Sequence, residues 1–162
     1  MNQKNSFSKL MAALLVVFVF TSCQATGQQN RNLKVYESSE QMLAAAKEVI
    51  TEITVEDFKN TYTQADIFII DVRTAGEHKS GAIPGAVNIP RGVLEFKIDM
   101  PGIWENTGKN PPQKDDRIFV YCSTGGRGAL SAKALMQLGY ENVQSLQGGF
   151  GAWNAAYPNI RE

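Results

Sequence analysis

The sequence predicts an α/β domain, with a mostly parallel central sheet of about five strands and helices on both faces. Three observations carry that expectation. Residues 67–70 (Ile-Phe-Ile-Ile) and 118–121 (Ile-Phe-Val-Tyr) are continuous apolar runs, the pattern of strands covered on both sides. Helix-period segments alternate with the strand-like ones, which is how parallel strands are connected. At 162 residues with 43% hydrophobic content, the chain has material for one core plus extensions. Its 16 basic and 16 acidic residues balance, so no electrostatic footprint for nucleic acid is indicated.

The N-terminus is different in kind. Lys4 and Lys9 precede an uncharged apolar run over residues 10–20, too short to span a bilayer and patterned like a signal peptide. Phe20-Thr21-Ser22-Cys23 follows and resembles a bacterial lipobox, with Phe20 where leucine is usual. The expectation is a lipoprotein signal peptide over residues 1–22 and a lipidated Cys23, giving a membrane-tethered protein of the bacterial cell envelope that faces the periplasm. Residues 23–36 are mostly polar and read as a flexible tether.

Residues 37–50 are expected to form a helical packing arm, with Met42, Ala46 and Ile50 at helical spacing. The main domain is placed at 51–158. A short strand is expected near 50–53, and Thr54 with Asp57 three positions on begins a helix reaching about Tyr62. The first central strand, 67–70, runs into Asp71-Val72-Arg73. Residues 81–90 are turn-rich, with room for a strand at 86–88. A turn or two of helix is expected at 93–98. A long connection then covers 100–116, where Trp104 suggests partial anchoring. After the second central strand, Leu130, Ala134 and Leu138 suggest the buried stripe of a helix over 127–138, stopped at Gly139-Tyr140. A last strand at 143–146 and a short helix opened by Gly148-Gly149, bearing Phe150 and Trp153 toward the core, complete the domain.

The chemistry concentrates in Tyr121-Cys122-Ser123-Thr124-Gly125-Gly126-Arg127-Gly128. A cysteine between the carboxyl end of a strand and a helix N-terminus faces unpaired N–H groups and the positive end of the helix dipole. Glycines let successive N–H groups curl into a concavity that holds an anion, and the thiolate is the reactive form of cysteine. With Cys23 lipidated, Cys122 has no partner for an internal disulfide, since the chain holds two cysteines. The loop therefore reads as the cradle of a nucleophile.

Four blocks in order resemble the rhodanese-like domain family, over about residues 50–157. They are Asp71-Val72-Arg73 with Glu77, the turn from Gly81 to Pro90, Cys122-Ser123-Thr124-Gly125-Gly126-Arg127, and Gly149-Phe150-Gly151-Ala152-Trp153. The chain departs from the family at Ala82, where histidine is usual, and at His78, where an aromatic is usual; both positions look structural. The resemblance implies a single-domain sulfurtransferase without a cofactor or metal. Cys122 takes sulfane sulfur from a small-molecule donor such as thiosulfate, or from a protein persulfide, and passes it to a thiol or cyanide.

On this reading Cys122 and Arg127 are catalytic. Ser123, Thr124, Gly125, Gly126 and Gly128 bind substrate through N–H and hydroxyl groups, and Asp71, at the end of a neighbouring strand, supplies a polar rim. Arg73 and Glu77, four apart, are expected to pair with each other. His78, the single histidine, is not needed as a base among so many N–H donors. Rival readings are a non-catalytic binding or redox-sensing module, and a cysteine phosphatase of the same fold. Phosphatases of that type separate cysteine from arginine by one residue more, and the shorter gap here suits a lone sulfur better than a phosphate.

Overall fold

The computed structural model describes residues 33–161; the expected signal segment 1–22, Cys23 and most of the tether lie outside the described residues. From Tyr36 onward the chain forms one compact unit. Its strands are β1 (Thr51–Ile53), β2 (Ile67–Asp71), β3 (Ala86–Asn88), β4 (Arg117–Tyr121) and β5 (Asn142–Leu146), in the order β1-β5-β4-β2-β3. All four pairings are parallel, and the two apolar runs occupy neighbouring central places as β2 and β4.

Alternate residues of these strands feed two cores, because successive side chains point to opposite faces. Phe68, Ile70, Ile118 and Val120 pack on one face with Leu94, Trp104 and Leu135; Ile67, Ile69, Phe119 and Tyr121 pack on the other with Phe58 and Trp153. Ile70, Ile118 and Val120 are fully buried, and each such side chain contributes about 1.5–3 kcal/mol relative to exposure. The helices on the first face are α4 (Leu94–Lys97), α5 (Pro101–Trp104) and α6 (Gly126–Gln137), with α1 (Ser39–Lys47) packed on α6; those on the second are α2 (Val55–Lys59) and α7 (Gly149–Ala156).

Several helix ends follow from local chemistry. Thr54 caps α2 by accepting from the Asp57 N–H at 3.1 Å. At the end of α6, Gly139 at φ 87° and the bonds Tyr140 N–H to Leu135 O and Gly139 N–H to Met136 O make a Schellman stop. The connection 100–116 is pinned where expected: Trp104 is buried and its indole donates to Ile98 O at 2.8 Å.

Three expectations need correction. The buried stripe of α6 is Ala129, Ala132 and Leu135 with Gly128 and Ser131, while Leu138 is exposed. The sheet lies under small residues there, so the helix sits close and turns its larger Leu130 aside. α1 and α2 end at Lys47 and Lys59, a few residues earlier than the apolar pattern suggested. A further helix, α3 (Ala75–Lys79), follows β2, where no helix was expected.

The register places the site. Asp71 lies beside Tyr121, so β2 and β4 end level. From there the chain leaves β2 toward β3 on one side and β4 toward β5 on the other. Such a reversal opens a crevice at the carboxyl ends of the strands, and Cys122 is the first residue beyond β4.

Candidate active site

Residues 122–125 turn the chain from β4 into α6. Gly125, the N-cap of α6, sits at φ 98°, and its N–H donates to the Cys122 sulfur at 3.2 Å. The loop is held from beneath by α7: the Phe150 N–H donates to Cys122 O at 2.7 Å, and the Gly151 N–H to Ser123 O at 2.9 Å. No peptide bond described is cis, and a trans peptide sets its N–H opposite its carbonyl. Anchoring the carbonyls of Cys122 and Ser123 on α7 therefore turns the N–H groups of Ser123 and Thr124 the other way, toward the outer side of the loop. That is the geometry of an anion cradle.

Glycine is required for the approach. A Cβ on Gly149, whose φ is +59°, would fall 2.2 Å from Cys122 O, and one on Gly128 would fall 3.0 Å from Ser145 Oγ. Gly128 thus serves close packing of α6 on β5. The Ser145 hydroxyl beneath it is buried and has no partner among the described residues.

Arg127, on the first turn of α6, reaches across to α3. Its NH2 and NH1 groups donate to Glu77 Oε1 at 2.7 Å and Oε2 at 3.0 Å, and NH2 also donates to Ser123 Oγ at 2.9 Å. Ser123 Oγ in turn donates to Glu77 Oε1 at 2.7 Å. Glu77 itself closes the capping box of α3, accepting from the Thr74 N–H at 2.9 Å and the Thr74 hydroxyl at 2.8 Å. Arg127 first, and then the Thr74 backbone and Ser123, hold the Glu77 carboxyl well below the usual carboxylate range. Arg127 is shifted up, chiefly by Glu77, with a smaller contribution from the Cys122 side chain.

A family model described as the rhodanese-like domain matches residues 54–156. The chain belongs to this family. A putative mitochondrial thiosulfate sulfurtransferase of Schizosaccharomyces pombe is 29% identical over 115 residues, covering 65% of this chain and 81% of the relative. A sulfurtransferase of Allochromatium vinosum is 29% identical over 107 residues, covering 65% and 89%. Among solved structures, the human single-domain sulfurtransferase superposes with a TM-score of 0.58 at 25% identity, over 64% of this chain and 95% of that one. A Rhodopseudomonas palustris protein described as a possible tyrosine phosphatase superposes with a TM-score of 0.62 at 31% identity, over 76% and 94%.

In this rhodanese-like domain the expected loop residues, Cys122 to Arg127 and Gly128, come together, but Asp71 does not join them. Asp71 is fully buried, and its carboxylate accepts a fork from Arg73, with Nε at 3.0 Å and NH2 at 2.7 Å, and faces His78 Nδ1 at 2.8 Å. The expectation of a polar substrate rim at Asp71 is thereby corrected: its acceptor capacity is spent inside the fold. Arg73 also donates to Gly81 O at 2.7 Å and lies 4.2 Å over the Phe150 ring, tying the turn after α3 to α7. The expected pair of Arg73 with Glu77 is likewise absent. Arg73 points inward from the loop after β2, and Glu77, on the first turn of α3, points to the rim. The Tyr121 hydroxyl accepts from the Ile83 N–H at 3.1 Å, and burial pushes its phenol well up from the usual range.

Glu77 is a site residue to which its four-residue spacing from Arg73 assigns only a structural role. The signal was present as Thr74-x-x-Glu77, a capping-box pattern that would have placed α3 and hence Glu77 beside the loop. Among the described residues no group of three or more His, Cys, Asp or Glu is arranged to hold a metal ion. An open groove of about 670 Å³ beside β3, lined among others by Tyr62, Ile103 and Lys109, includes no residue of the Cys122 loop.

Proposed function

We propose that this rhodanese-like domain is a sulfurtransferase that carries sulfur as a persulfide on Cys122. The supporting observation is the Gly125 N–H on the Cys122 sulfur within a loop whose first two carbonyls are anchored on α7. Such a cradle fits a sulfur anion and asks for no general base. In the first half-reaction the Cys122 thiolate attacks the sulfane sulfur of a thiosulfate-like donor. A new S–S bond forms, the donor's S–S bond breaks, and its electron pair leaves with the departing group, sulfite in the case of thiosulfate. In the second, a thiolate or cyanide attacks the terminal sulfur and Cys122 departs as thiolate. Both enzyme forms are anions within the same loop, with the charge on Sγ in the thiolate and one S–S bond further out in the persulfide, so successive N–H donors of the loop can serve the two steps, and ping-pong kinetics are expected.

The domain without its first 35 residues, given a sulfane donor and cyanide, is expected to form thiocyanate, and Cys122→Ser is expected not to. Equal rates would remove Cys122 from the chemistry. Turnover of an aryl phosphate that depends on Cys122 would favour the phosphatase reading instead, which the described likeness of the Rhodopseudomonas structure makes worth measuring.

We also propose that Cys23 is lipidated and tethers the domain to the bacterial envelope, facing the periplasm. The support is the basic start, the apolar run and Ser22-Cys23. Intact mass of the membrane-extracted protein tests it. A chain starting at acylated Cys23 is expected, and an unmodified chain starting elsewhere would defeat the assignment.

A further inference from the structure

The Cys122 loop, residues 122–128, contains one charged side chain, Arg127. That charge is already matched. Arg127 forks Glu77 with two bonds and gives a third to Ser123, whose own hydroxyl is also bonded to Glu77. Glu77 cannot swing away at small cost, since Thr74 donates to it twice and α3 depends on that cap. The two neighbouring arginines at the carboxyl edge of the sheet are paired as well, Arg73 with Asp71 at 2.7 Å and Arg91 with Glu95 at 2.7 Å. From residue 36 onward the chain carries 12 basic and 16 acidic residues, a formal net charge of −4, so the background adds no positive field. Backbone N–H dipoles and the two guanidinium N–H groups that these three bonds leave over can still orient one negative charge. A second negative charge meets the Glu77 carboxylate, with the Cys122 thiolate itself adding to the repulsion.

Resting on the sulfurtransferase reading, we infer that this site selects sulfane-sulfur donors carrying at most one negative charge, such as thiosulfonates and simple alkyl persulfides, over dianionic thiosulfate. Glu77 sets the preference by neutralising Arg127. Methanethiosulfonate and thiosulfate make a matched pair of probes, because each gives one sulfane sulfur to the thiolate and leaves as sulfinate or sulfite. They differ chiefly by one charge.

The test is kcat/KM for both donors, with cyanide as acceptor, in the wild type and in Glu77→Gln. Removing the carboxylate charge is expected to lower the preference for methanethiosulfonate about 3- to 10-fold, the effect of one charge at this range in a half-exposed site. Comparing the two enzymes cancels the intrinsic reactivity of the donors. An unchanged or increased preference would overturn the inference. If Glu77→Gln does not fold, salt decides with the wild type alone. From about 0.02 to 0.5 M KCl, screening should raise the rate with thiosulfate relative to methanethiosulfonate, and a relative fall would show a net positive site and overturn the inference. If neither donor nor inorganic polysulfide places sulfur on Cys122, the sulfurtransferase reading fails and this inference falls with it.

Discussion

Replacing Gly149 with alanine puts the account of the loop under direct strain. The added Cβ would lie 2.2 Å from Cys122 O and 3.0 Å from the Gly125 N, both backbone atoms that cannot rotate out of the way. The residue would also hold φ at +59°, which costs an L-amino acid about 1–2 kcal/mol. To relieve the clash, α7 must withdraw from the loop, lengthening the 2.7 Å bond from the Phe150 N–H to Cys122 O. Leaving that buried carbonyl unsatisfied costs about 1–3 kcal/mol. The two contributions make about 3 kcal/mol, or about a 10 °C fall in Tm for a domain of this size. Because the displaced group is the Cys122 peptide, the rate of thiocyanate formation should fall about 100-fold, as for a displacement of about 1 Å at a reacting centre. Gly76→Ala is the control, since its Cβ would meet nothing within 4 Å. It should melt within about 2 °C of the wild type. Thermal melts followed by circular dichroism, with the rate measured well below Tm, separate the two effects. If Gly149→Ala melted and turned over like the wild type, the anchoring of the loop by α7 would not matter and the reasoning would be refuted.

The remaining predictions concern the two carboxylates. Asp71→Asn strips the buried Arg73 of its counter-charge and should cost about 3–5 kcal/mol of stability, read as a large fall in Tm. A raised KM for the donor with an unchanged Tm would instead restore Asp71 to the substrate rim. Glu77 gives a pH signature. Its carboxyl is depressed below the ordinary 4.5, mainly by Arg127, so the stability it contributes is present above the ordinary value and is lost as the pH falls toward the depressed one. The Tm difference between wild type and Glu77→Gln should therefore stay constant from about pH 7 to pH 5 and shrink only in more acidic solution. Shrinkage already above pH 5 would show that the clamp is weaker than its geometry implies. The effect should be small, because both partners are partly exposed.

The parallel sheet was legible because β2 and β4 must be apolar on both faces, and no other element of the chain leaves so plain a trace. The cradle was legible for a related reason: only glycine tolerates the approach of α6 and α7 to the loop, so the positions of closest contact show in the sequence. The charge pairing was not legible. Arg73 and Glu77 have the spacing of a helical pair, yet they straddle the start of α3, where Thr74 ends the extended chain and the spacing rule does not apply. Arg73 turns inward because Asp71 is buried at the level end of β2 and β4, a consequence of register. Glu77 meets Arg127 because α3 and α6 both start at the same crevice, a consequence of strand order. The stripe of α6 was misplaced for a packing reason, since the sheet beneath takes alanines and a serine where the larger Leu130 and Leu138 attracted attention. Tertiary contacts decided each of these.

The proposed sulfurtransferase chemistry requires that Cys122 carry sulfur. Its most direct test is the intact mass of the domain after brief exposure to methanethiosulfonate, followed by peptide mapping and then by addition of cyanide. One added sulfur atom is expected, located on Cys122, absent from Cys122→Ser and released as thiocyanate when cyanide is supplied. An unmodified Cys122 with every sulfane donor tried, or an added sulfur that cyanide does not discharge, would contradict it.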